Sequence, residues 1–219
     1  LRGNTFLMGG SSLDFFDFYR YADNAFMYET SNRDRRIWQW DSYLCDVGRS
    51  LNRFMGKQFG VYVKPHRGAP AQRALTAMAR VAHMIYWYTY GPEWAKGDSF
   101  GSSTNLHKTL GWVARLIAGA EDITYDSDWA VPAQVAVVRP FTSVFSGSAS
   151  WENGKWIHTA LQHAHIPVDA LDEGLLMSED IARYRVIVIS GGYLRRDVAA
   201  RLRQWVEAGG TLYTCGGGM

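Results

Sequence analysis

The chain has 219 residues, 47% of them hydrophobic, enough for one large or two modest folded units with sizeable cores. Lys and Arg total 23 against 21 Asp and Glu, a formal net charge of +2, so neither a nucleic-acid footprint nor an attraction to an anionic membrane is written in the charge. No uninterrupted apolar run of about 18 residues occurs, which excludes a membrane-spanning helix, and two cysteines as far apart as Cys45 and Cys215 do not make a disulfide framework.

Taken in chain order, Thr5 to Met8 reads as a short buried strand ended by Gly9-Gly10, and Ser11 or Ser12 can cap a helix over Leu13 to Tyr21. Ala25 to Glu29 is a second buried strand. The next helix is the clearest in the sequence: Ile37, Trp40, Leu44, Val47, Leu51 and Phe54 recur every three or four residues, and Gly56 ends it. Phe59 to Lys64 is a third strand. Pro70 suits a first helical turn, with Leu75, Met78 and Ala82 expected inward. Met84 to Ser103 begins as an aromatic strand, breaks at Gly91-Pro92 and continues as a loop carrying Glu93, Trp94, Lys96 and Asp98. An aromatic plate, carboxylates and a few donors on a loop after a strand are the usual equipment of a sugar site. A helix with Leu106, Leu110, Val113 and Ile117 follows. Four strand-helix units in succession, with both sheet faces covered, make half of an eight-fold (β/α)8 TIM barrel or one open sheet. Because the pattern begins abruptly at Leu1, the first is the expectation.

From residue 121 to 133 periodicity fades and acidic and turn residues accumulate, so a linker is placed there between a barrel-like part, 1–120, and a second part, 134–219. That second part reads as a strand over Gln134 to Val138 and a helix over Glu152 to Ala164 with Trp156, Ile157, Ala160, Leu161 and Ala164 inward. Strands over Ile166 to Leu171 and Arg185 to Ser190 follow, then a helix over Asp197 to Glu207 and a strand over Thr211 to Cys215. This is a flavodoxin-like beginning whose sheet is incomplete at its C-terminal end. His158, His163 and His165 show no metal spacing and are read as solvated, so no metal and no cofactor are expected.

The segments HIPVDALDE (His165 to Glu173) and ARYRVIVISGGYLRRDVAARLRQWVEAGGTL (Ala182 to Leu212), with the preceding AQVAVV, resemble the trimerisation domain of the family 42 β-galactosidases. Upstream, RVAHMIYWYTYGPEWAKGD resembles the last barrel strand of the same family. The resemblance implies a (β/α)8 hydrolase barrel followed by a class I glutamine amidotransferase-like domain that takes part in a homo-oligomer, a trimer in particular. It implies a β-galactoside-like carbohydrate substrate and an O-glycosyl hydrolase activity. One departure is plain: where that family ends its seventh barrel strand in a nucleophilic glutamate, this chain has FGVYVKPHRG, with Lys64 and His66 and no carboxylate. The family's acid/base glutamate ends its fourth strand, which would precede Leu1.

Glycoside hydrolysis needs one carboxyl to protonate the leaving oxygen and another to attack or to activate water. The candidates are Glu29 and Glu93, each following a predicted barrel strand; the bland alternative is that each is a solvated loop carboxylate paired with Arg33, Lys64 or Lys96. Expected substrate contacts are Tyr28, Tyr62, Lys64, His66, Trp87, Tyr90, Trp94 and Asp98. Two other readings stay open: a non-catalytic carbohydrate-binding or assembly protein that has lost its nucleophile, and a Cys-dependent amidotransferase. The second draws on TLYTCGGGM around Cys215, which resembles the amidotransferase nucleophile elbow but lacks the elbow's usual glycine before Thr214.

Overall fold

The alternation of apolar β-branched runs with amphipathic stretches folds into two separate four-stranded sheets, every pairing in them parallel. The computed structural model describes residues 6–7, 15–22, 24–28, 39–63, 70–87, 104–124, 132–147 and 151–215. The first sheet takes its strands in sequence order: β1 (Phe6–Leu7), β2 (Asn24–Tyr28), β3 (Gln58–Val63) and β4 (Met84–Trp87). Its connecting helices are α1 (Phe15–Arg20), α2 (Gln39–Met55) and α3 (Pro70–Met78), and α4 (Thr104–Ala118) follows β4. The second sheet comprises β5 (Val135–Arg139), β6 (Val168–Asp172), β7 (Val186–Ser190) and β8 (Thr211–Cys215), in the spatial order β6-β5-β7-β8. The short helices α5 (Glu121–Thr124) and α6 (Phe141–Phe145) and the longer α7 (Trp151–His163) and α8 (Arg196–Glu207) complete the set, with 3-10 turns at Glu173–Met177 and Glu179–Arg183.

The α/β reading therefore holds, with parallel sheets and helices packed on them. The clearest helix behaves as its pattern demands. Leu44, Val47 and Leu51 of α2 are buried, and Gly56, in the left-handed region at φ 62°, turns the chain out of it while its N–H donates to the Asn52 carbonyl at 2.8 Å. In α8, Val198, Leu202 and Trp205 are the buried stripe, as read.

Three expectations are corrected. The buried residues of α3 are Pro70, Ala74 and Ala77, while Leu75 and Met78 are half-buried, because α3 meets both α2 and α4 and presents its small residues at the closest approach. In α7 the buried arc is Gly154, Lys155 and His158; Trp156, Ala160 and Ala164 are exposed. That helix packs against α2 as well as β5 and β6, and Gly154 lets it close on α2, since a Cβ there would lie 3.2 Å from the Tyr43 hydroxyl. The start of the expected linker is helical as α5, and α6 stands where no helix was read.

The two sheets share one continuous apolar core, in which Phe59, Val61 and Val63 of the first and Ala136, Val138, Ala170 and Ile187 of the second belong to the same buried cluster. Helix α2 joins them. It packs on β2 and β3 and along β6, which is buried over its whole length. Among the described residues no helix is long and apolar enough to cross a membrane.

Candidate functional site

Strands β2, β3 and β4 point the same way and end side by side at Tyr28, Val63 and Trp87. Register places Tyr28 beside Tyr62 and Tyr62 beside Tyr86, a row of three tyrosine positions across the sheet. The Tyr62 and Tyr86 rings lie 5.5 Å apart between centroids, tilted by 40°; Tyr62 is 7% exposed and Tyr86 41%. Side chains alternate along a strand, so Val61, Val63, Ile85 and Trp87 occupy the opposite face, toward the helices. Trp87, expected as a sugar contact, packs there against the apolar core and lines a cavity of about 270 Å3 bounded by Met78, Val81, His83 and Ile117. It is not on the tyrosine face. Glu29, Lys64, His66, Tyr90, Glu93, Trp94 and Asp98 lie outside the described residues, as does the side chain of Tyr28.

The carboxyl edge of the second sheet is lined with polar side chains, most of them held by partners within the same unit, while the buried Ser190 hydroxyl has no hydrogen-bond partner among the described residues. Arg139 at the end of β5 donates to Asp172 at the end of β6 at 3.0 Å, both buried. Asp172 also accepts the Glu173 N–H at 2.7 Å, starting the 3-10 turn. The buried Glu173 carboxylate accepts from the Thr142 N–H at 2.7 Å, the Thr142 hydroxyl at 3.0 Å and the Arg195 N–H at 2.6 Å, tying the loops after β5 and β7 together. Ser143 does the same: its hydroxyl donates to the Tyr193 carbonyl at 2.5 Å and accepts the Tyr193 N–H at 2.7 Å. Gly191 is required beneath it, because a Cβ there would meet the Ser143 hydroxyl at 2.5 Å.

At the same edge Cys215 pairs in register with Ser190. Its thiol contacts the Ile189 carbonyl at 3.9 Å, and among the described residues it makes no hydrogen bond to an imidazole or carboxylate. Cys45, buried in α2, and Cys215 are not joined in a disulfide. The described residues contain no group of His, Cys, Asp and Glu able to hold a metal ion.

The densest electrostatics lie between α2 and the second sheet, where sequence reasoning placed nothing. Asp46 is fully buried. Its carboxylate meets Arg80, Arg49 at 3.2 Å and His158 Nε2 at 2.6 Å. Burial alone would raise its pKa, but Arg49, Arg80 and His158 outweigh that and hold it well below the usual carboxylate range. A carboxylate so held only accepts, so Nε2 of His158 carries the proton and donates. His158 was read as solvated and is fully buried instead; its ring stands edge-on to Tyr43, 5.3 Å away. His163 and His165 are exposed.

One turn along α2, Arg49 and Arg53 reach Asp169 of β6 at 3.0 and 2.8 Å. Arg49 also donates to the Val168 carbonyl at 3.1 Å, and the Tyr184 hydroxyl completes the set at 2.8 Å from Asp169. Burial, reinforced by the Asp169 charge, raises the Tyr184 phenol far above its ordinary value. Arg80 spans to Gln162 of α7 at 3.0 Å. The cluster is a junction: Asp46 meets His158, and Arg49 and Arg53 meet Asp169, across the boundary between the two sheets.

No family model matches the chain, and no curated protein matches it either.

Proposed function

We propose that the first sheet is the C-terminal half of a (β/α)8 barrel of the glycoside-hydrolase kind and the second an amidotransferase-like assembly unit. On this reading the protein cleaves a β-galactoside-like or related carbohydrate with a carboxylate pair, and works as a homo-oligomer. The observation that carries it is the common edge at which β2, β3 and β4 end. In sequence Glu29 immediately follows β2, Lys64 immediately follows β3, and Glu93 stands six positions after the last residue of β4, so each belongs to a segment that begins at that edge. Parallel neighbours are about 4.8 Å apart, which sets β2 and β4 roughly 9.5 Å apart across β3. Glycosidases use carboxyl separations of about 5 to 9.5 Å, a span that segments starting from those two strands can supply.

Glu29 or Glu93 would protonate the glycosidic oxygen while the other attacks the anomeric carbon or activates water. Tyr86, 41% exposed beside the buried Tyr62, offers a ring face for a sugar, and Lys64, His66 and Asp98 would offer hydrogen bonds to its hydroxyls. Second-sheet order, β6-β5-β7-β8, supports the flavodoxin-type reading of the C-terminal part.

The test is Glu29→Gln and Glu93→Gln, each assayed on a panel of aryl β-glycosides with circular dichroism as the folding control. Turnover should fall at least a thousandfold in one or both while sugar binding persists. Unchanged rates in both would remove the catalytic reading. A second reading, sugar binding without hydrolysis, is favoured by the Lys64-Pro65-His66 sequence after β3, which supplies no carboxylate; saturable binding without turnover by the wild type would select it.

A further inference from the structure

On the helix side of β4, away from the tyrosine row, the first sheet and α4 leave a hollow of about 270 Å3. Ala114 and Ala118, one helical turn apart, form one wall, and their methyl groups are too short to fill it. Met78, Met84, Ile85 and Trp87, all half-buried, form the other. That wall is fixed from behind. Helix α3 ends at Val81, whose N–H donates to the Met78 carbonyl at 2.9 Å, while the Ala82 N–H reaches the Ala77 carbonyl at 3.0 Å. The turn delivers His83, which also lines the hollow; its Nδ1 accepts the Phe59 N–H at 3.4 Å and its ring stands edge-on to the Phe59 ring, 5.9 Å away.

The polar groups of the hollow are few and of one sign. Glu121 and Thr124 stand three residues apart on α5 and so share a face. Glu121 is the one carboxylate among the described lining residues, and no Lys or Arg accompanies it there. It forms no ion pair or hydrogen bond with any described residue. The side open to solvent is its own, where Ala114, Ala118 and Glu121 are exposed.

We propose that this hollow binds a small organic cation, one aromatic ring on a short chain that ends in a protonated amine. A mostly apolar pocket with a few polar groups is the general form of a small-molecule site. An apolar cavity of about 150 Å3 already takes benzene, so the volume here suits one ring with a short side chain and is too small for a helix. Thioethers and an indole are favourable neighbours for an aromatic ring, which Met78, Met84 and Trp87 supply. The unanswered Glu121 carboxylate selects the ammonium. Because the wall is already held by α3 and Phe59, little ordering opposes binding.

The test is calorimetric titration of the 219-residue protein with three probes of like size: 2-phenylethylamine, 2-phenylethanol and phenylacetate. The amine should bind saturably at one site, at least about threefold more tightly than the alcohol, an advantage that shrinks at high salt because Glu121 is exposed. Phenylacetate should not bind. Glu121→Gln should bring the amine down to the alcohol's affinity and leave the alcohol unchanged. Ala114→Phe should abolish binding of both. Both positions are exposed, and far-UV circular dichroism checks that each variant folds. Absence of saturable amine binding, equal affinity for amine and alcohol, or binding that survives Ala114→Phe would overturn the proposal. So would an oligomer that Ala114→Phe dissociates, since a second copy would then fill the hollow. The hollow lies on the opposite face of β4 from Tyr86, so loss of amine binding and loss of glycoside turnover are separately visible.

Discussion

Replacing Asp46 with Asn tests whether the junction is held by its buried charges. The change removes the negative charge that faces Arg49, Arg80 and His158 without altering the side chain's size. Breaking a buried ion pair from one side costs about 3–5 kcal/mol. Arg49 keeps Asp169 and Arg80 keeps Gln162, so the lower end, about 3 kcal/mol, applies. With a urea m-value of about 2–3 kcal/mol/M the unfolding midpoint should fall by roughly 1 M, read by circular dichroism and tryptophan fluorescence. Acid supplies a second arm. Because the folded pKa of Asp46 lies below its unfolded value of about 3.9, its contribution is complete above that value and is lost as the pH falls toward the folded pKa. The gap between wild type and Asp46→Asn should therefore be constant near neutrality and close progressively below about pH 4. A midpoint shift under about 0.3 M, or a gap independent of pH, would refute the assignment of junction stability to this carboxylate.

Three other perturbations probe the framework. Gly48→Ala puts a Cβ 2.5 Å from the fully buried Phe59 ring; the overpacking should cost about 1–3 kcal/mol despite the gain in helix propensity, and a thermal melt at or above the wild type's would contradict it. Glu173→Gln weakens the acceptor shared by the Thr142 and Arg195 amides; a loss of about 1–2 kcal/mol should come with faster hydrogen exchange at those two amides, and unchanged exchange would mean the carboxylate does not pin the loops. Val81 has φ 63°, a conformation costly for a β-branched residue. Val81→Gly should raise the melting temperature by about 2 °C where Val81→Ala does not, and equal effects would assign the gain to something other than backbone relief.

What could be read from the sequence was whatever apolar spacing reports. Leu44, Val47 and Leu51, or Val198, Leu202 and Trp205, repeat at helical period, and the structure buries them as the period demands. The same rule read α7 only in part: Ile157 and Leu161 do pack against the core, but Trp156, Ala160 and Ala164 are exposed, and the fully buried arc of Gly154, Lys155 and His158 is invisible to a search for apolar residues. His158 finds its partner 112 positions away, and Asp169 finds Arg49 at a separation of 120. Pairings so distant in sequence leave no local trace. One signal was available: Asp46 interrupts the run from Leu44 to Val47 on the inward face of the strongest helix, a place where a carboxylate survives only if it is answered. For the proposed sugar site the sequence indicated strand ends and the residues that follow them. The structure adds the parallel register that brings those ends together, and it turns Trp87 toward the helix layer because alternation from Val61 and Val63 leaves it no other face.

The sharing of α2 between the sheets has a practical consequence for anyone dividing the protein. A cut in the acidic stretch near residue 125 would fall between the two sheets, yet the C-terminal piece would lose the cover of β6 and strand Asp169 beside Tyr184 without Arg49 or Arg53. Such a fragment should come out of the cell insoluble, whereas one that keeps residues 39–55 attached retains its missing wall.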